Sequence, residues 1–159
     1  MATLSVGIKE DLVVGGTTHA FDKTGDSANF DITGVNAIYR QTIVVPTTSG
    51  GIQYLKFGSA ASAGTLIASD FKYMRISNNN SNGGNFVTIT LQDSTANHCV
   101  NFKLLANSSI YFTTLVFDTK DSSITAGTSG VTTMRATADE LRMQADTGTA
   151  NVEIFVAHA

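Results

Sequence analysis

The chain has 159 residues, of which 42% are hydrophobic and 14% are charged, and its formal net charge at pH 7 is −3. This length fits one domain with a core of its own, and the hydrophobic content with a low net charge argues against a disordered chain. The ten basic residues are scattered. Without a Lys/Arg run to neutralise a phosphate backbone, nucleic acid is excluded as an expected partner.

The first thirty residues are expected to form an extended arm or an irregular edge strand. Leu4, Val6 and Ile8 recur at every second position, as strand residues do, but Gly15 and Gly16 interrupt the pattern. We therefore divide the chain into an N-terminal arm, residues 1–30, and a β-sandwich domain, residues 31–159. The start of the chain lacks the features of a signal peptide, and no run of apolar residues is long enough to predict a membrane span.

Short alternating apolar segments follow one another along the rest of the chain. They occupy residues 35–45, 51–58, 71–78, 86–91, 100–104, 109–113, 115–117 and 151–156. Pro46, the only proline, follows the first of them, as expected at the end of a strand. Residues 78–85 hold five Asn and two Gly, types that favour tight turns, so we expect a hairpin tip there.

Residues 137–145 allow two interpretations. Thr137 stands three residues before a glutamate, which is the spacing of a helix capping box. Against a helix, Leu141, Met143 and Ala145 alternate with polar residues. We favour a strand that joins the last strand in a hairpin, because a lone helix would need a packing face of its own.

The nine or ten predicted strands, joined by short turns, indicate an all-β fold. We expect an antiparallel β-sandwich, with a jelly roll as one possible form and an extended N-terminal arm. A closed barrel is the alternative architecture.

Two of the predicted strands carry apolar residues on both faces. In one strand, Met74 and Ile76 lie on one face, and Phe71 and Tyr73 lie on the other. In the second strand, Ile38 and Val44 lie on one face, and Tyr39 and Ile43 lie on the other. Such strands need a second cover, which could be a loop, the arm or another subunit. We therefore expect an oligomer, and the candidate residues of a subunit or shell interface are Leu4, Val6, Ile8, Tyr39, Phe71 and Tyr73.

No group of residues predicts a catalytic or metal site. His19, His98 and His158 are far apart, and Cys99, the only cysteine, follows His98 directly. Adjacent strand residues point to opposite faces, so these two cannot easily ligate one ion. Catalytic motifs and phosphate loops are missing from the sequence. We expect no enzyme activity, no intrachain disulfide, no metal and no cofactor.

Two pairs of carboxylates could in principle meet a calcium ion. They are Asp22 with Asp26 and Asp118 with Asp121. Neither pair has the ligand density of an EF-hand loop, so we favour solvated turn residues at both places.

Several segments carry a recognisable series of strands. They are residues 73–78 (YMRISN), 86–89 (FVTI), 100–104 (VNFKL) and 108–112 (SSIYF), with 140–145 (ELRMQA), 148–150 (GTA) and 152–154 (VEI) at the end. This series resembles small virion structural proteins of tailed bacteriophages. The resemblance covers about residues 70–156, and the first seventy residues add nothing to it.

The resemblance implies a cement, or decoration, protein that binds the outer capsid shell and stabilises adjacent capsomers. It implies the major capsid protein as a partner, self-association as a homotrimer, and a place in the virion after assembly in the host cytoplasm. The alternative is a carbohydrate- or receptor-binding β-sandwich module of a fibre or tail, which Asn-rich loops and tyrosines would suit. A small enzyme on a cupin-like or lectin-like scaffold is the third hypothesis.

Overall fold

The structure, a computed structural model, describes residues 2–14, 17–23, 30–60, 62, 65–81, 85–95, 98–118 and 135–159, with the backbone alone for residues 8–14, 17–23, 30, 116–118 and 135–136. The first strands are β1 (Ala2–Val6), β2 (Ile8–Val14), β3 (Thr17–Lys23), β4 (Phe30–Val35) and β5 (Ala37–Pro46). They are followed by β6 (Ile52–Gly58), β7 (Thr65–Ile67), a 3-10 helix (Ala68–Asp70), β8 (Phe71–Asn78), β9 (Val87–Asp93) and β10 (His98–Leu104). The last are β11 (Ser108–Phe112), β12 (Val116–Asp118), β13 (Arg135–Thr137), β14 (Glu140–Ala145) and β15 (Thr149–His158).

Two antiparallel sheets form the body of the protein. The first has the strand order β11-β8-β15-β5, and the second has the order β10-β9-β14-β6, extended by β7, which runs parallel to β6. The chain changes sheet at most steps, for example between β5 and β6 and between β8 and β9. This is the strand order of a jelly roll. The predicted all-β sandwich is confirmed.

The core lies between the two sheets, and strand alternation builds it. In β15, Val152, Ile154 and Val156 are fully buried, and in β14 Leu141 and Met143 are at most 1% exposed. These residues pack in one cluster that joins both sheets. Burying each side chain of this size stabilises the fold by about 1.5–3 kcal/mol.

Residues 140–145 form a strand, as predicted, but the predicted hairpin is wrong. β14 pairs with β6 and β9 in one sheet, whereas β15 pairs with β5 and β8 in the other. The turn between them therefore crosses the sandwich. Gly148 takes a positive φ of 63° in this turn, a conformation that favours glycine.

The Asn-rich segment also crosses between the sheets, so the predicted hairpin tip at residues 78–85 is wrong. β8 lies in the first sheet and β9 in the second. Asn78 is fully buried, and its Nδ2 donates to the carbonyls of Asn85 at 3.1 Å and Leu104 at 3.2 Å. Its Oδ1 accepts from the backbone N–H of Asn80 at 3.2 Å. Sequence alternation cannot reveal a sheet change, because a strand has the same period in either sheet. Residues 82–84 lie outside the described part of the chain.

The two faces of β5 follow the prediction, and one residue of β8 does not. Tyr39 and Ile43 pack towards the main core, while Ile38 and Val44 are 63% and 60% exposed. Phe71 was expected on the face opposite Met74 and Ile76. It packs against the main core instead, because the pairing of β8 with β15 shifts register at this end of the strand.

The described strands of the N-terminal arm form a two-stranded ribbon that β4 completes. β1 pairs with β4 and β2 pairs with β3, both antiparallel, so that residues on either side of the segment 15–16 run alongside each other. At its base, Leu4 and Val6 join Ile32 and Val35 in a small apolar cluster. This second cluster lies on the outer face of the first sheet, where it contacts Tyr73, Phe155 and Ala157.

Candidate interface on the outer sheet face

In the described part of the chain, the side chains that could act in catalysis or bind a metal do not form a cluster. His98 and Cys99 lie on opposite faces of edge strand β10, and Cys99 is exposed. Among the described residues, no group of three or more His, Cys, Asp or Glu could hold a metal ion. No helix among them is long and apolar enough to span a membrane. Asp26 and Asp121 lie outside the described residues, and for His19, Asp22 and Asp118 only the backbone is described.

Three of the six candidate interface residues come together where the base of the arm meets the first sheet. Leu4 and Val6 of β1 pack with Tyr73 of β8 in the outer cluster. The backbone of Ile8 lies directly after them, at the start of β2. The other two candidates lie elsewhere. Tyr39 packs at the border of the main core, and the ring of Phe71 meets that of Phe57 edge-on at 5.9 Å.

A row of charged and aromatic residues crosses the outer face of the first sheet. Tyr111 of β11 lies opposite Arg75 of β8, which lies opposite Phe155 of β15. Phe155 in turn lies opposite Arg40 of β5. Because directly opposed residues share a face, the four side chains form one band across all four strands.

Glu153 links the two arginines of this band. Its Oε2 accepts from Arg40 Nη2 at 2.6 Å and Nε at 3.0 Å, and its Oε1 accepts from Arg75 Nη2 at 2.7 Å. The carboxylate is only 12% exposed, while the arginine side chains are 64% and 42% exposed. The hydrogen bond from Arg40, and then that from Arg75, lower the pKa of Glu153. Two guanidinium groups facing one carboxylate leave a net positive charge on this surface.

Aromatic rings complete the site. Tyr73 and Phe155 meet nearly edge-on, with ring centroids 6.2 Å apart, and the guanidinium of Arg75 lies 5.8 Å from the centre of the Phe155 ring. Burial raises the pKa of the Tyr73 hydroxyl. The Nε of Arg75 is buried and has no hydrogen-bond partner among the described residues.

A groove of about 350 Å³ separates the arm from this band. Residues 4–7, at the end of β1 and directly after it, form one wall. The other wall is formed by Arg40, Tyr73, Arg75 and Phe155. The groove therefore combines apolar walls with positive charge. The groove is one feature of this face that could meet a ligand or partner. The edge strand β5, with its exposed Ile38 and Val44, is another.

Sequence analysis missed Arg40, Arg75, Glu153 and Phe155. Alternation alone places Arg75 on the same face as Tyr73, so that one residue could have been found from the pattern. The contact of Glu153 with Arg40 and Arg75 depends on strand pairings between distant parts of the chain. No local sequence signal carries that information.

Comparison of this chain with protein-family models, with curated proteins and with solved structures finds no match.

Proposed function

We propose that the protein is a virion structural protein of the cement type, which binds the outer shell of a tailed bacteriophage and stabilises adjacent capsomers. The observation that carries the proposal is the N-terminal ribbon, which is anchored at its base on a jelly-roll sandwich. Its distal strands, β2 and β3, pair only with each other among the described strands.

The energetics of the ribbon support a role in contacting another protein. An isolated two-stranded hairpin is marginally stable in water. β2 and β3 contain Ile8, Leu12, Val14 and Phe21, and a two-stranded ribbon offers no interior for apolar residues. Packing on a neighbouring subunit would give these apolar residues a cover. The major capsid protein of the shell is the proposed neighbour.

A cement protein acts by mass action rather than by chemistry. Because it binds the assembled shell and not the separated subunits, every occupied site lowers the free energy of the closed shell. Such binding needs contact area and matching symmetry. A sandwich with an anchored arm can provide both.

The experiment compares shells with and without the protein, and then with arm variants. Full-length protein is added to shells that lack it, and the temperature of shell disruption and survival of osmotic shock are measured. We expect complete shells to withstand both better. Leu4→Asp with Val6→Asp should release the base of the arm and weaken shell binding at least tenfold. The matched control is Leu105→Asp, a position that is 60% exposed. Equal stability of complete and incomplete shells would reject the proposal.

A second candidate function is supported by the groove. Carbohydrates and receptor segments that carry a carboxylate would suit two arginines and two aromatic rings, because guanidinium groups bind carboxylates in a planar, bidentate manner. In this alternative the protein is a binding module of a fibre or tail. A glycan array that includes uronic and sialic acids tests it. Signal that disappears in Arg40→Ala would favour this alternative, and an array without signal would remove its carbohydrate form.

A further inference from the structure

Strand β5 is the edge strand of the first sheet in the order β11-β8-β15-β5. It is ten residues long and pairs with β15 along its whole length. In the described part of the chain no strand pairs with its other side. Long exposed edges with apolar residues are sites of strand pairing between molecules, and monomeric proteins normally protect them with charge, proline or a bulge.

Where the structure describes the side chains of the arm, their apolar contacts lie inward of this edge. They are with Phe155 and Ala157 of β15, one strand in from the edge, and with Tyr73 of β8, two strands in. Ile38, opposite Ala157, is still 63% exposed. Pro46, which has no N–H to donate, is the last residue of the strand, so it removes a donor only at that end.

The sequence of β5 is self-complementary around Gln41. Ile38 and Val44 stand three residues to either side of it, and both are exposed on the outer face. Tyr39 and Ile43 stand two residues to either side, and both are partly buried against the core. This symmetry makes a second copy of the same strand a fitting partner for the edge.

We propose that two copies of the protein join β5 to β5 in antiparallel fashion, with Gln41 on the two-fold axis. The four-stranded sheets of the two copies then form one continuous sheet of eight strands. Ile38 of each copy lies opposite Val44 of the other. The two apolar pairs bury side chains that the single chain leaves in water, and this isologous contact closes at two copies.

Neighbouring registers are less favourable. Hydrogen-bonded and non-hydrogen-bonded pairs alternate along an antiparallel ladder. Only residues whose backbone groups face the partner can form the hydrogen-bonded pairs, so the register changes only in steps that keep these residues opposite each other. One such shift places Arg40 opposite its own copy, and like charges directly opposed destabilise a pair. The other places Ile38 opposite Pro46, which has no N–H to donate. With Gln41 at the centre, Arg40 faces the neutral Thr42.

The proposal goes beyond the cement function and does not depend on it. It predicts a two-fold dimer in place of the homotrimer expected from the sequence. A dimer could form whether or not the protein binds a shell, so its test is made on the purified full-length protein alone.

The first experiment measures the mass of the protein in solution. Native mass spectrometry and light scattering should give twice the chain mass of 16.7 kDa. Ile38→Lys and Val44→Lys, which place charge at the paired positions, should each raise the dissociation constant at least tenfold, whereas Leu105→Lys should leave it unchanged. A monomer over the whole accessible concentration range, or a trimer, would overturn the proposal.

The second experiment tests the register in which the two copies of β5 pair. In a Cys99→Ser background, Gln41→Cys places two thiols across the axis. Opposed residues have Cα atoms about 4.5–5.5 Å apart, within disulfide reach. Mild oxidation should therefore link two chains. Thr42→Cys is the matched control, because its two copies would be offset by two residues along the strands. Equal cross-linking of both variants, or none in Gln41→Cys, would contradict pairing about Gln41.

Discussion

Replacing Glu153 with glutamine should destabilise the fold through the loss of two ion pairs at once. Glu153 contacts Arg40 at 2.6 Å and Arg75 at 2.7 Å, and it is 12% exposed. An exposed pair contributes about 0.2–1 kcal/mol, and a hydrogen bond to a charged group in a more protected place about 1.5–3 kcal/mol. Because the arginines are partly solvated, we expect a loss of about 1–2 kcal/mol. For a chain of this size that lowers Tm by about 2–8 °C.

The difference in Tm between wild type and Glu153→Gln should depend on pH. The arginines lower the pKa of Glu153 below its ordinary value of 4.5 in the folded protein. The stabilisation is therefore fully present above that ordinary value and is lost as the pH falls through the lowered folded-state pKa. Thermal unfolding of wild type and Glu153→Gln, followed by circular dichroism from pH 7 to pH 2, should show two Tm values that converge on acidification.

Glu140→Gln is the matched control for this series. Glu140 is also 12% exposed but contacts a single arginine, Arg142, at 3.2 Å. Its replacement should lower Tm by less than half as much. If Glu153→Gln were as stable as wild type at pH 7, or if its deficit were unchanged at the lowest pH, the bridging carboxylate would not stabilise the fold in the way described.

Three further predictions concern the core and the turns. Ile154→Ala should cost about 2–5 kcal/mol in the free energy of unfolding by denaturant, because Ile154 is fully buried, whereas Leu105→Ala at a 60% exposed position should stay within about 0.5 kcal/mol. Asn78→Leu should cost about 2–4 kcal/mol, measured in the same way, because two carbonyls lose their donor; a neutral result would show that water replaces the amide. Gly51→Ala should lower Tm more than Gly50→Ala, because both have positive φ but only a Cβ at Gly51 would lie 3.1 Å from a backbone oxygen.

Local alternation was enough to predict the class of the fold. Leu141, Met143 and Ala145 alternate with polar residues. This two-residue period favoured a strand over the helix that the capping-box spacing at Thr137 would allow. The strand β14 formed there is buried on one side, as the pattern requires. A period of two residues is a property of the single strand, so it could be recognised without knowing its neighbours.

The assignment of strands to sheets could not be predicted in this way. A turn that forms a hairpin and a turn that crosses a sandwich use the same residue types, which is why the segments after Asn78 and before Thr149 were both misassigned to hairpins. The site depends on the same missing information. Glu153 meets Arg75 because β15 lies beside β8, a pairing between residues far apart in the chain.

The position of β15 has a consequence for how the chain folds. β15 is flanked by β5 and β8, and its pairing with β5 joins residues more than one hundred positions apart. Closing so long a loop costs entropy before any contact repays it, and folds dominated by such contacts form slowly, in milliseconds to seconds. Until residues 149–158 arrive, β5 and β8 each expose a side that later lies in the middle of the sheet. Refolding yield should therefore fall as protein concentration rises, because another molecule can occupy that gap first.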